Sequence, residues 1–271
     1  MSKIGIIAGG GRLPVLIGKN LNKKNYEVMF FVIEDTFDRE IYSNHKIILI
    51  KLNSIKKIFK TLNEQNIKKI ILAGNITRPS LKDINFDFET INFAKKLMLS
   101  KKGDNDLLIS IKKLFKEQGF EYLDWKEYCE DLFSNENNLT NMQPSKEANL
   151  NLEKALKVFK DYGKLDIGQS LIVQNEIVLG LEAAEGTDNL IIRCKDLKKN
   201  GDNGVLIKAS KYNQSNILDI PTIGSETLSL LIKYDYEGVF IEKNKCIIID
   251  KNETINLANS NKLFISTFEK N

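Results

Sequence analysis

Over the first 130 residues, short apolar runs alternate with stretches of helical periodicity. Ile4–Ala8, Tyr26–Ile33, Ile47–Leu52 and Ile67–Ala73 are each short enough to be one buried strand. Between them, Leu16–Leu21 and the set Ile55, Ile58, Phe59 and Leu62 show the three- and four-residue spacing of an apolar helical stripe. Helical patterning also covers Ile91–Leu99 and Leu107–Phe115, and Gly119–Leu123 reads as a fifth strand. Strands joined through helices imply crossover connections, so residues 1–132 are expected to form a Rossmann-like parallel-sheet α/β domain.

The pattern then changes. Asp131–Ala148 is polar, rich in Asn and Ser, and carries Pro144, which predicts a linker over 133–148. Beyond it, Leu152, Ala155, Leu156 and Phe159 mark a helix. Asp166–Gly180 predicts two strands around a turn at Gln174–Glu176, and Gly204–Lys208 predicts another. Phe240–Glu242 and Cys246–Ile249 read as a hairpin about Lys243–Lys245. Residues 149–271 are therefore expected to form a C-terminal mixed α/β domain.

Composition narrows the chemistry. The 271 residues are 42% hydrophobic and 28% charged, as in soluble globular chains. No run approaches the roughly 20 apolar residues that cross a bilayer, and the N-terminus lacks signal-peptide order, so a cytoplasmic location is expected. The net charge of +4 comes from scattered lysines, which argues against a nucleic-acid partner. Cys129, Cys194 and Cys246 are widely spaced and read as reduced, partly buried thiols. A single histidine, His45, excludes His-rich metal sites. Any hydrolytic chemistry must then rest on carboxylates.

The first candidate site is Gly9-Gly10-Gly11 between the first strand and a helix opened by Pro14. Main-chain N–H groups and a helix N-terminus suit a phosphate, although a tight strand-to-helix turn would explain the same glycines. Gly74-Asn-Ile-Thr-Arg-Pro79 follows the fourth strand, and Arg78, held extended by Pro79, could present its guanidinium to the same phosphate. Asp104 or Asn105 could cap the next helix or bind metal. Two polar packets follow in the second domain. Glu182, Glu185, Gly186, Thr187 and Asp188 could hold Mg²⁺ through hard oxygens, or Thr187-Asp188 could cap a helix. Lys208, Lys211, Gln214 and Asp219, with Gly224-Ser-Glu-Thr227 downstream, outline a polyanion pocket, with Ser225 and Thr227 also available as helix caps.

Taken in order, Ile7–Pro14, Gly74–Pro79, Gly103-Asp104, Leu165–Gln169, Glu182–Asp188 and the Lys208–Gly224 packet resemble the two-domain UDP-2,3-diacylglucosamine pyrophosphatases over essentially the whole chain. That resemblance implies Mg²⁺-dependent hydrolysis of the diphosphate to UMP and 2,3-diacylglucosamine 1-phosphate in lipid A biosynthesis, with water attacking the sugar-side phosphorus. It implies a substrate held between the two domains, which would close over it, and transient contact with the inner-membrane surface. It leaves a homodimer open. Asp219 takes the place of the catalytic carboxylate, and Asp188, Asp104 and Asp219 are the metal candidates. Substrate contacts are implied at Gly9, Gly10, Gly11, Asn75, Thr77, Arg78, Gln169, Glu185, Gly186, Thr187, Lys208, Lys211 and Thr227. The chain departs from the family pattern at Tyr212, Ser215 and Ile217, where Pro, Asp and Arg are expected, and at Asn105, where a second aspartate is expected. Two other readings compete: a nucleotide- or lipid-binding protein with little turnover, and a dinucleotide oxidoreductase on the glycine loop. For the latter, Glu34 and Asp35 stand at ribose-binding distance, but Pro14 replaces the third glycine.

Overall fold

The computed structural model describes residues 2–52, 54–75, 104–162, 165, 167–211 and 220–270, with side chains over 104–110 excepted. The chain divides into two compact units, Met1–Glu130 and Asp131–Asn271.

In the first unit the buried apolar runs become strands β1 (Lys3–Ala8), β2 (Glu27–Ile33), β3 (Ile47–Ile50), β4 (Lys69–Ala73) and β5 (Glu121–Tyr122). They form one parallel sheet in the order β3-β2-β1-β4-β5. Helices α1 (Leu13–Lys23), α2 (Arg39–Tyr42), α3 (Ile55–Glu64) and α4 (Asp104–Glu117) fall between the strands. Ile4, Ile6, Phe31, Ile70 and Ile71 have no or almost no exposure, as expected for strands covered on both faces. The helical segment expected at Ile91–Leu99 lies outside the described residues.

The second unit is built on a mixed sheet ordered β12 (Phe264–Phe268), β10 (Gly238–Glu242), β8 (Val205–Lys208), β6 (Ser170–Gln174) and β7 (Ile177–Leu181). β8, β10 and β12 run parallel; β6 runs antiparallel to both β7 and β8. Side chains alternate between two cores. Helix α5 (Lys146–Tyr162) covers the face of Leu171, Val205, Ile207 and Phe240 through Ala155 and Phe159. Helices α6 (Thr187–Cys194), α7 (Ser225–Lys233) and α8 (Lys251–Ser260) cover the face of Ile172, Leu206, Val239 and Ile241 through Leu190, Ile191, Leu228, Leu231 and Ala258.

Two segments differ from the expectations above. The hairpin expected about Lys243–Lys245 does not form. β10 pairs in parallel with β8 and β12, while β11 (Ile247–Ile248) leaves that sheet to pair in parallel with β9 (Thr222–Ile223). The reason is burial: all five β10 residues are buried, which suits a central strand with parallel neighbours and not one arm of an exposed hairpin. The 133–148 stretch runs against β12, where Leu139 N–H donates to Ile265 O at 2.9 Å and Thr267 N–H to Asn137 O at 2.9 Å. Its polar side chains finish that edge: Ile265 N–H donates to the buried Thr140 hydroxyl at 2.9 Å.

Candidate functional site

In the first unit the glycine loop lies where the strand order reverses, between β1 and β4, the position at which open parallel sheets take ligands. Gly9 N–H donates to Ala73 O at 2.8 Å and Gly10 N–H to Asn75 O at 2.7 Å, and Asn75 N–H returns to Gly10 O at 2.9 Å. A Cβ on Gly9 would stand 2.3 Å from Asn75 O, and Gly74, at φ +91°, would place one 2.8 Å from the Gly9 and Gly10 carbonyl oxygens. The two motifs are thus glycine-rich because two backbones touch there. The Gly9 and Gly10 amides, read from sequence as phosphate donors, serve this junction. What remains for an anion is Gly11 (φ +85°, open space where a Cβ would project) and the first turn of α1, which has no side-chain cap. Of the two acids at ribose-binding distance, Glu34 and Asp35, Glu34 pairs with Lys51 at 3.3 Å.

This geometry separates the glycines by experiment. Gly9→Ala should destabilise the protein by about 1–3 kcal/mol through overpacking against Asn75. Gly10→Ala, whose Cβ would meet Thr36 Cβ at 3.6 Å and Asn75 O at 3.7 Å, both ordinary van der Waals distances, should stay within about 1 kcal/mol. Denaturant titration of both variants reads the difference directly, and equal losses would contradict the close approach.

The second unit gathers more chemistry. The period of two along β8 sends Lys208 to the same face as Leu206, toward the start of α6. Lys208 is only 6% exposed, and its Nζ donates to Thr187 Oγ1. Thr187 in turn donates to Glu182 Oε2 at 3.3 Å and lies 3.1 Å from Ser170 Oγ, while Ser170 is the register partner of Lys208. Gln169 sits beside them, its carbonyl accepting Ala209 N–H at 2.8 Å. Gly168 permits the approach, since a Cβ there would lie 1.9 Å from Glu182 O. Gln169 and Thr187, from two motifs on either side of the β6–β7 pair, are therefore brought beside one lysine. Among the described residues no carboxylate oxygen comes within 4.0 Å of Lys208 Nζ.

The acids of the first packet point to separate partners. Glu185 pairs with Arg193 at 2.7 Å, and that guanidinium hydrogen bond holds its carboxyl below the usual range. Asp188 Oδ1 accepts the Thr227 hydroxyl at 3.0 Å, joining the starts of α6 and α7. The capping roles open in the sequence are not taken: Gly186 (φ +79°) and Gly224 occupy the N-cap positions, neither helix has a side-chain cap, and Thr187, Asp188 and Thr227 turn to one another's neighbourhood instead. Among the described residues no three His, Cys, Asp or Glu side chains converge on a metal-sized site. Mg²⁺, however, commonly takes one or two protein carboxylates and keeps its other positions for water and substrate oxygens. The hard-oxygen donors present, with Asp188 using one oxygen for Thr227, fit that demand.

Of the other expected residues, Lys211 is half-buried three positions past Lys208, and Asp104 opens α4 with its side chain outside the described residues. Thr77, Arg78 and Asp219 also lie outside the described residues, as do Tyr212, Ser215 and Ile217. Glu182, a candidate Mg²⁺ ligand on the sequence, accepts the Thr187 hydroxyl instead, and Ser170 is a site residue that sequence reasoning misses. A lone Ser opening the apolar run Leu171–Val173 was the available signal for Ser170. The three cysteines are buried and outside any disulfide, and burial pushes the Cys246 thiol up to about 12.

A parallel sheet with a switch point, followed by a mixed sheet that buries Lys208 beside hydroxyls, defines a two-domain α/β protein. The comparisons sharpen that class. Residues 3–132 match the LpxI N-terminal domain and residues 135–266 the LpxI C-terminal domain, so the chain belongs to the LpxI family. It is similar to the UDP-2,3-diacylglucosamine pyrophosphatase LpxI of Caulobacter vibrioides, 29% identical over 98% of this chain and 97% of that protein.

Proposed function

We propose that this protein hydrolyses the diphosphate of UDP-2,3-diacylglucosamine, releasing UMP and 2,3-diacylglucosamine 1-phosphate as a step of lipid A biosynthesis. The observation that carries the reading, within a chain of this family, is Lys208. Lys208 is only 6% exposed, a buried ammonium costs several kcal/mol unless its charge is answered, and among the described residues the hydrogen-bond partner of its Nζ is the neutral Thr187 hydroxyl. A diphosphate oxygen is a partner of the right charge. Thr187, fixed by Glu182 and Ser170, orients the ammonium, and Lys211 would add a second positive charge to spread over the phosphoryl oxygens. With one histidine in the chain, proton removal from water falls to a carboxylate, and Asp219 is assigned that role. Mg²⁺, with Asp188, Asp104 and Asp219 as its candidate ligands, would supply charge neutralisation at the sugar-side phosphorus that the water attacks. No described helix is long and apolar enough to cross a membrane, and contact with the inner-membrane surface is proposed from the lipid substrate alone.

The test is release of UMP from UDP-2,3-diacylglucosamine. Turnover is expected with Mg²⁺ and should fall at least about 100-fold after chelation, returning on readdition. Tight substrate binding without turnover would instead establish the binding-protein reading, which the substitutions at Ser215 and Ile217 make the proper alternative.

A further inference from the structure

The second unit holds one more buried charged network, placed just past the strand end that carries Lys208. Glu242 closes β10 and is 2% exposed, the one buried carboxylate among the described residues. The register Ile241↔Lys208 sets it alongside the exit of β8. Its Oε2 accepts both the Ser210 N–H at 2.7 Å and the Ser210 hydroxyl at 2.6 Å, and its Oε1 accepts Lys245 Nζ at 2.7 Å. Lys270 Nζ lies 3.7 Å from Oε2 and donates to the Ser210 carbonyl. The amide, hydroxyl and carbonyl of Ser210 are therefore all held by charged groups distant in sequence. Burial raises the Glu242 carboxyl, but hydrogen bonds from Lys245 and from the Ser210 hydroxyl and amide, with Lys270 nearby, outweigh it and keep the group below its ordinary value.

As a stability device this arrangement is poor. Buried ion pairs are often matched or beaten by apolar residues of the same volume, because desolvation offsets the attraction. What the network does achieve is position: it fixes the one residue between Ala209 and Lys211. We propose that Glu242 is a positioning residue for the phosphate pocket, acting through Ser210 to hold Lys211 against the same anion that Lys208 meets. This rests on the reading above that both lysines face the diphosphate.

A double-mutant cycle between Glu242 and Lys211 tests it, because only residues that act through one another lose additivity. Glu242→Gln and Ser210→Ala should each lower kcat/KM for UMP release about tenfold, a loss of about 1.4 kcal/mol in transition-state stabilisation. On a Lys211→Ala background the Glu242→Gln loss should shrink below about twofold, and Ser210→Thr, which keeps the hydroxyl, should remain near wild type. Full additivity, or Ser210→Thr as impaired as Ser210→Ala, would overturn the proposal. Should Glu242→Gln not fold, Ser210→Ala completes the same cycle. A substrate-free measurement stands beside it: amide hydrogen exchange at Ser210 should quicken at least about tenfold in Glu242→Gln. Unchanged exchange refutes the clamp whether or not the wild type releases UMP, whereas absence of UMP release by the wild type refutes the hydrolase reading.

Discussion

Replacing Asp219 with Ala should lower the rate of UMP release by about 10²–10⁴-fold, the range over which a positioned acid–base group contributes. The family resemblance singles out Asp219, and elimination supports only that the group is a carboxylate. His45 is the sole histidine, and it packs edge-on against Phe30 at 5.1 Å, at the start of β3 in the first unit. Cys246, near Lys208, is held as a neutral thiol by burial. A carboxylate is what remains to manage water, and Asp219 follows Lys208 and Lys211 in the same packet. The measurement is single-turnover UMP release at saturating substrate with Mg²⁺, which separates chemistry from product release. Equal rates for the two proteins would remove Asp219 from the mechanism and move the role to Asp188 or Glu182.

Lys208→Met should cost about 10²–10³-fold in kcat/KM, comparable to losing one preorganised donor to a developing oxyanion. Its second consequence separates function from structure. Met has similar volume and no charge to desolvate, and Thr187 keeps Glu182 and Ser170 as partners. Thermal stability should therefore hold or rise, by up to a few degrees for a unit of this size. A structural lysine would behave the other way, losing stability in step with activity. Parallel thermal melts and kinetics on the same preparation decide between them, and a large drop in melting temperature would show that Lys208 is needed for folding and not for an anion.

How much of this was legible in the residue order depends on range. The five strands of the first sheet and the α5, β6, β7 and β8 segments follow from local periodicity, and the structure places them close to the expected boundaries. Periodicity is a property of neighbouring residues, so it survives in the sequence. Phe240–Glu242 and Cys246–Ile249 read as extended, but as two arms of a hairpin that does not form, because partner choice is long-range: β10 is separated from both β8 and β12 by helices, and β11 reaches back to Thr222–Ile223. The polar stretch at 133–148 looked like a linker because composition cannot distinguish polar groups facing water from polar groups finishing the edge of β12.

The same division runs through the site. Sequence alone determined which groups this protein can use: glycines at a switch point, lysines at a strand end, carboxylates in place of histidines. Tertiary structure decided what each does. It turned the Gly9 and Gly10 amides inward to Asn75 and Ala73, gave Glu185 to Arg193, and closed Thr187, Ser170 and Glu182 around one buried ammonium. The physical reason is that hydrogen bonds and burial are contracts between residues brought together by the register of β6 on β8 and the landing of α6 against them, and neither is written in any single stretch of the chain.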